Sequence, residues 1–135
     1  RMSNGEVLHE LAQYSKIPVI NGMTNASHPC QIMASIMTIE EKLGDIKGKK
    51  LAWFGDSNNV SNTYVEAAKI FGYDLILAVP EHLQSKAPKD AHVVTDPKIA
   101  AKDADVLITD TWVSMGQEGK EIEAFWPYQV NSDLM

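Results

Sequence analysis

The sequence predicts an α/β fold of three layers, a parallel β-sheet held between helices. Three observations carry that prediction. From Lys50 onward, short apolar runs alternate with segments of helical period, the order that winds a parallel sheet covered on both faces. The run Leu51-Ala52-Trp53-Phe54-Gly55 is apolar without alternation, as in strands buried on both sides. The two most polar and unusual loops, 56–59 and 110–117, each follow such a strand, where open parallel sheets collect their ligands.

The elements follow in order. Val7, Leu8, Leu11 and Ala12 recur at helical spacing over 6–14, and Ile17-Pro18-Val19-Ile20 then forms a β-branched run, so a helix and a short strand are expected. Asn25, Ser27 and Pro29 offer helix-starting chemistry. Ile32, Ile36, Ile39 and Leu43 keep one apolar stripe until Gly44, which predicts a helix from Pro29 to Leu43. The polar, basic stretch 45–50 follows, and a domain boundary is expected near 44–49, with a further domain beyond it. In that domain the expected elements are a strand over 50–55, a helix over 60–71, strands over 75–79 and 92–94, a helix over 97–102 and a strand over 106–109. Residues 81–90, with Ser85, Lys86, Pro88 and Lys89, read as a surface loop. A helical pattern begins after Val130, and Arg1 is not an initiator Met, so a longer chain is expected.

Composition bounds the function. The 135 residues are 44% hydrophobic and 22% charged, a globular balance able to bury a core. Twelve Lys and Arg against eighteen Asp and Glu leave a net charge of −6, which argues against a nonspecific nucleic-acid binder. The single cysteine, Cys30, excludes an intrachain disulfide framework and a cysteine-rich zinc site, and points to the cytosol. No run approaches the roughly 18 apolar residues of a membrane span, and 1–10 has no signal-peptide core.

Three constellations carry candidate chemistry. Gly55-Asp56-Ser57-Asn58-Asn59-Val60 closes a strand and opens a helix, where free backbone N–H groups favour an anion. It lacks the later glycines of a dinucleotide-binding turn. One asparagine can cap the helix at Val60 while the other faces a ligand. His28-Pro29-Cys30-Gln31 sets an imidazole and an amide at a helix N-terminus, suited to a carbonyl or phosphate oxygen; the plainer reading is a loop histidine beside a first-turn proline. Cys30 has no orienting partner for nucleophilic work and reads as a small buried thiol. In the segment 110–117, Asp110 suits an amino acid's ammonium group and Ser114 its other polar atoms, while Gly116 lets the loop move; a capped turn is the alternative. His9, His82 and His92 are separated singletons with no ligand spacing and read as surface or packing residues. Trp53 is expected in the core, Trp112 beside the last loop and Trp126 in helix-end packing.

Taken in this order, His28-Pro29-Cys30-Gln31, Gly55-Asp56-Ser57-Asn58-Asn59 and Asp110-Thr111-Trp112-Val113-Ser114-Met115-Gly116-Gln117 resemble the ornithine carbamoyltransferase family. The third string is the specific one; aspartate carbamoyltransferases share a His-Pro-x-Gln but are not expected to carry it. Ile17-Pro18-Val19-Ile20-Asn21-Gly22 and Tyr128-Gln129-Val130-Asn131 extend the similarity over nearly the whole chain. The resemblance implies a Rossmann-like ornithine-binding domain over 45–135, the end of a carbamoyl-phosphate domain over 1–27, and the linking helix between. It implies carbamoyl transfer from carbamoyl phosphate to the δ-amine of L-ornithine by a cytoplasmic homotrimer, with no metal or organic cofactor. Arg1, His28 and Gln31 would bind carbamoyl phosphate, with Arg1 and His28 polarising its carbonyl. Asn59, Asp110, Ser114 and the backbone of Met115 would hold ornithine, and 114–117 would close over it. The family's Ser-Thr-Arg-Thr loop belongs upstream of Arg1 and its His-Cys-Leu-Pro motif downstream of Met135, so this chain alone is expected to hold part of an active site. The connection from Pro80 to His92 is shorter than the family's usual one. A truncated or degenerate relative that binds an amino acid, or only packs against partners, is the non-enzymatic alternative.

Overall fold

The structure, a computed structural model, describes residues 1–113 and 122–135. Its first helix, α1 (Gly5–Tyr14), starts where the Asn4 side chain accepts the Glu6 N–H at 2.9 Å. It buries none of its residues. The strand expected over 17–20 does not form. Ile17 and Ile20 are 75% and 78% exposed, and no described strand runs alongside to accept their backbone groups. β propensity has no effect without a neighbour to complete a ladder.

Helix α2 (Pro29–Leu43) has the expected bounds, because Pro29 occupies the first turn, where its missing N–H costs nothing, and Gly44 ends the helix at φ 76°. Ile32, Ile36 and Ile39 are buried as the stripe predicts; Leu43, its last member, is 45% exposed. The strands are β1 (Lys50–Phe54), β2 (Asp74–Ala78), β3 (His92–Val94) and β4 (Val106–Thr109), with α3 (Asn59–Phe71) and α4 (Pro97–Ala101) between them. They form one parallel sheet in the order β3-β2-β1-β4.

The unbroken apolar runs find a use on both faces. Leu51, Trp53 and Leu77 pack with Ile32, Ile36, Tyr64 and Val65 of α2 and α3. Ala52, Phe54 and Ala78, one residue out of phase, pack with Ala100 of α4 and with Tyr128 on the other face. This is the predicted three-layer α/β arrangement. Trp53 is 1% exposed, as expected, and His9, His82 and His92 lie on the surface.

Two segments depart from expectation. Instead of an open surface loop, Glu81–Lys86 forms a 3-10 helix that buries Leu83, and Gln84 Nε2 pins it to the Val79 carbonyl (3.1 Å) and Thr95 Oγ1 (2.8 Å). Near the end, Glu123–Tyr128 is a second 3-10 helix that buries Phe125 and Tyr128. Beyond Val130 the chain makes a turn rather than a helix, because the Asn131 side chain takes the N–H groups of Asp133 and Leu134.

Candidate active site at the switch between β1 and β4

Strand order alone locates the site. From β1 the chain moves to β2 and β3 on one side, then crosses to β4 on the other. The crevice outside the carboxyl ends of β1 and β4 is therefore the topological switch point of the sheet. Phe54 pairs with Thr109, so the two strands end level and their loops emerge side by side.

The loop after β1 is shaped locally. Gly55 sits at φ 133°, a conformation closed to ordinary side chains, and Trp112 lies over it, its Cδ1 3.7 Å from where a Cβ would stand. Trp53 Nε1 donates to the Asp56 carbonyl at 3.0 Å, tying the loop to the core. Asn58 caps α3: its Oδ1 accepts the N–H groups of Val60 (2.9 Å) and Ser61 (3.0 Å), and its own N–H is taken by Ser61 Oγ at 2.8 Å. The helix thus begins at Asn59, one residue before the expected start. The remaining Asn58 function, Nδ2, donates across the switch point to Asp110 Oδ2 at 3.4 Å. The other Asp110 oxygen accepts the Thr111 N–H at 2.8 Å, so local capping and the cleft share this carboxylate.

The opposite wall comes from the start of α2. His28 is its N-cap, with Nδ1 accepting the Gln31 N–H at 3.3 Å. That bond places the proton of the neutral imidazole on Nε2, which makes His28 a donor. Its backbone N–H is held by Thr63 Oγ1 at 2.9 Å. Asn59 Nδ2 donates to the Thr24 carbonyl at 2.8 Å.

Together these walls enclose a cleft of about 650 Å3, inside the ~300–1,000 Å3 usual for small-molecule sites. Arg1, His28, Gln31, Asn59 and Asp110 all line it. Ser114 and Met115 lie outside the described residues, as do Gly116 and Gln117. Tyr64, Ser35 and Lys86 line the cleft too, and sequence reading passed over them. Tyr64 and Ser35 fall on otherwise ordinary helices, and Lys86 lies in the segment read as a loop; the 3-10 helix brings its ammonium to 4.0 Å from Asp56 Oδ1. Burial raises the Tyr64 pKa, a Ser35 hydrogen bond lowers it in part, and the nearby Asp110 charge raises it again, so the phenol stays a neutral donor. Trp112 stacks on Phe125 and meets Trp126 edge-on, with ring centroids 6.0 and 5.8 Å apart. Cys30 is exposed, 3.5 Å from the Asn21 carbonyl, and so is not the buried thiol expected; the helix face that carries it turns away from the core defined by Ile32 and Ile36. No cluster of three or more His, Cys, Asp or Glu suited to a metal occurs among the described residues, and no described helix is long and apolar enough to cross a membrane.

Comparison with known proteins gives the same picture. Residues 47–135 match the family described as aspartate/ornithine carbamoyltransferase, Asp/Orn binding domain, and residues 1–41 match its carbamoyl-P binding domain. The chain is 46% identical to the ornithine carbamoyltransferase of Geobacter metallireducens, an alignment covering 96% of this chain and 47% of that protein. Among solved structures, ornithine carbamoyltransferase from Pyrococcus furiosus superposes with a TM-score of 0.84 at 41% identity, over 99% of this chain and 48% of that one. The anabolic ornithine carbamoyltransferase of Campylobacter jejuni superposes with a TM-score of 0.88 at 33% identity, over 99% and 51%. The chain spans about half the length of the curated relatives it matches. With both family domains matched in order and the fold shared along almost its full length, the chain belongs to the aspartate/ornithine carbamoyltransferase family.

Proposed function

We propose that the whole protein containing this chain transfers the carbamoyl group of carbamoyl phosphate to the δ-amine of L-ornithine, giving L-citrulline and phosphate. One observation carries the reading: a single cleft gathers Arg1, His28 and Gln31 on one wall and Asn59 and Asp110 on the other. The first wall offers a guanidinium, an N–H donor and an amide to a carbonyl and a phosphate. The second offers a carboxylate to an α-ammonium and an amide to an α-carboxylate.

In the reaction, the lone pair of the neutral δ-amine attacks the carbonyl carbon, and the bond from that carbon to the phosphate oxygen breaks. Phosphate leaves with the electron pair, and the attacking nitrogen gives up a proton. Negative charge builds on the carbonyl oxygen on the way, and Arg1 and His28 are the donors assigned to it. Asp110 and Asn59, with Ser114 and the Met115 backbone, hold the amino-acid end so that the δ-amine points at the carbon; much of the rate comes from that orientation. In this reading 1–27 completes a carbamoyl-phosphate domain, 28–44 links it to the ornithine domain 45–135, and the protein is a cytoplasmic homotrimer.

The decisive assay is citrulline formation by the whole protein from carbamoyl phosphate and ornithine. Absence of citrulline with both substrates bound by calorimetry would leave only a binding protein. Asp110→Asn is expected to raise KM for ornithine at least tenfold, because a charge-assisted contact to the ammonium becomes a neutral one, with KM for carbamoyl phosphate changed less than threefold.

A further inference from the structure

Thr63 does not line the cleft, yet it touches both walls. Its side chain is 6% exposed, one turn into α3. The hydroxyl oxygen accepts the His28 N–H at 2.9 Å and the hydroxyl proton is donated to the Asn59 carbonyl at 2.7 Å. His28 and Asn59 stand on opposite walls and on different helices, and the family matches divide the chain between them, at 41 and 47. The Asn59 side chain closes the same circuit, reaching the Thr24 carbonyl at 2.8 Å. Thr24 in turn takes the N–H groups of Ala26 and Ser27 on its Oγ1, the two residues before His28.

We infer that Thr63 is a positioning residue for carbamoyl transfer, its one hydroxyl setting the His28 cap and Asn59 relative to each other. This rests on the reading of the cleft given under Proposed function. A hydroxyl suits the task because it accepts and donates at once. Both bonds end on backbone groups, so they fix the positions of the two residues rather than their rotamers. An error of an ångström between the walls would misalign amine and carbonyl, the kind of displacement that costs rate more than binding.

The test uses the whole protein with Thr63→Val, which keeps the side-chain shape and removes both bonds, and Thr63→Ser, which keeps the hydroxyl and removes the methyl. Thr63→Val is expected to lower kcat about ten- to a hundredfold, with KM for carbamoyl phosphate changed less than threefold. Thr63→Ser is expected to stay within about threefold of the parent in both. Hydrogen exchange at the His28 amide gives a readout independent of turnover: faster in Thr63→Val, unchanged in Thr63→Ser. Equal kcat losses in the two variants would assign the effect to methyl packing and overturn the inference. So would a parent-like kcat in Thr63→Val, or an insoluble Thr63→Val accompanied by a Thr63→Ser with kcat reduced more than tenfold. A parent protein that makes no citrulline refutes the proposed reaction instead; the positioning role then fails if His28 amide exchange is the same in Thr63→Val as in the parent.

Discussion

The two walls of the cleft are held by different means. The β1–α3 wall grows from the packed sheet: Trp53 and Phe54 are 1% and 0% exposed, and the capping box of Asn58 and Ser61 satisfies the helix start from within the loop. The wall built from the chain up to His28 has little core of its own. α1 buries nothing, Ile17 and Ile20 lie open, and this region is tied by single polar bonds such as Met2 N–H to the Met23 carbonyl (3.0 Å) and Asn59 to Thr24. The β1–α3 wall is thus a consequence of folding, as is α2 beyond His28, whose Ile32, Ile36 and Ile39 are buried, while the segment before His28 is held by polar bonds such as that of Asn59 to Thr24. Rigid packing under one half of a site and polar tethers under the other allow the halves to be adjusted without disturbing the sheet.

That contrast predicts a graded series of effects. Trp53→Ala should cost about 3–5 kcal/mol in denaturant unfolding, since it empties the core and frees the Asp56 carbonyl from its 3.0 Å bond. A cost below one kcal/mol would mean the sheet is not what supports the β1–α3 wall. Asn58→Ala should cost about 1 kcal/mol through loss of the cap, and also weaken amino-acid binding, because the same side chain reaches Asp110.

Tyr73→Phe should likewise cost about 1 kcal/mol at neutral pH, for the 2.7 Å bond to the Tyr64 carbonyl. Its pH signature is separate. Burial, and then the neighbouring Tyr64, push the Tyr73 phenol well above its ordinary 10.0. The folded state therefore keeps a proton that the unfolded state releases above pH 10, and stability present below that pH is lost as pH rises past it. In Tyr73→Phe the alkaline fall should be shallower; an unchanged slope above pH 10 would remove Tyr73 from the account. Smallest of all, Ile17→Ser with Ile20→Ser should shift the stability of this chain by less than about 0.5 kcal/mol. A loss as large as that of Trp53→Ala would erase the distinction between the walls.

Much of this was legible in the residues, for reasons that are local. Apolar runs between Lys50 and Thr109 mark parallel strands, most plainly β1, which is buried from Leu51 to Phe54 because both its faces are covered. Pro29 and Gly44 bracket α2 because neither residue suits the helix interior. His28, Gln31, Asn59 and Asp110 stand in recognisable motifs and Arg1 is implied by the family resemblance, and the cleft includes them all. What failed was non-local. Ile17-Pro18-Val19-Ile20 has strand chemistry and no strand beside it. The segment holding Lys86 has loop composition, but Leu83 finds the core and Gln84 finds Val79 and Thr95, which folds it inward and carries Lys86 to the cleft. The partners of the two asparagine Nδ2 groups, Asp110 for Asn58 and the Thr24 carbonyl for Asn59, also depended on distant parts of the chain.

The sequence by itself determined the layers, the helix ends and the chemical character of each loop, because those depend on periodicity, capping and turn residues within a few positions. Only the tertiary structure decided that β4 lies beside β1 rather than β3. That choice, settled by which apolar faces pack together, sets the loops after β1 and β4 side by side. Asn58 and Asp110, 52 positions apart, thereby come within 3.4 Å, and two polar loops become one site.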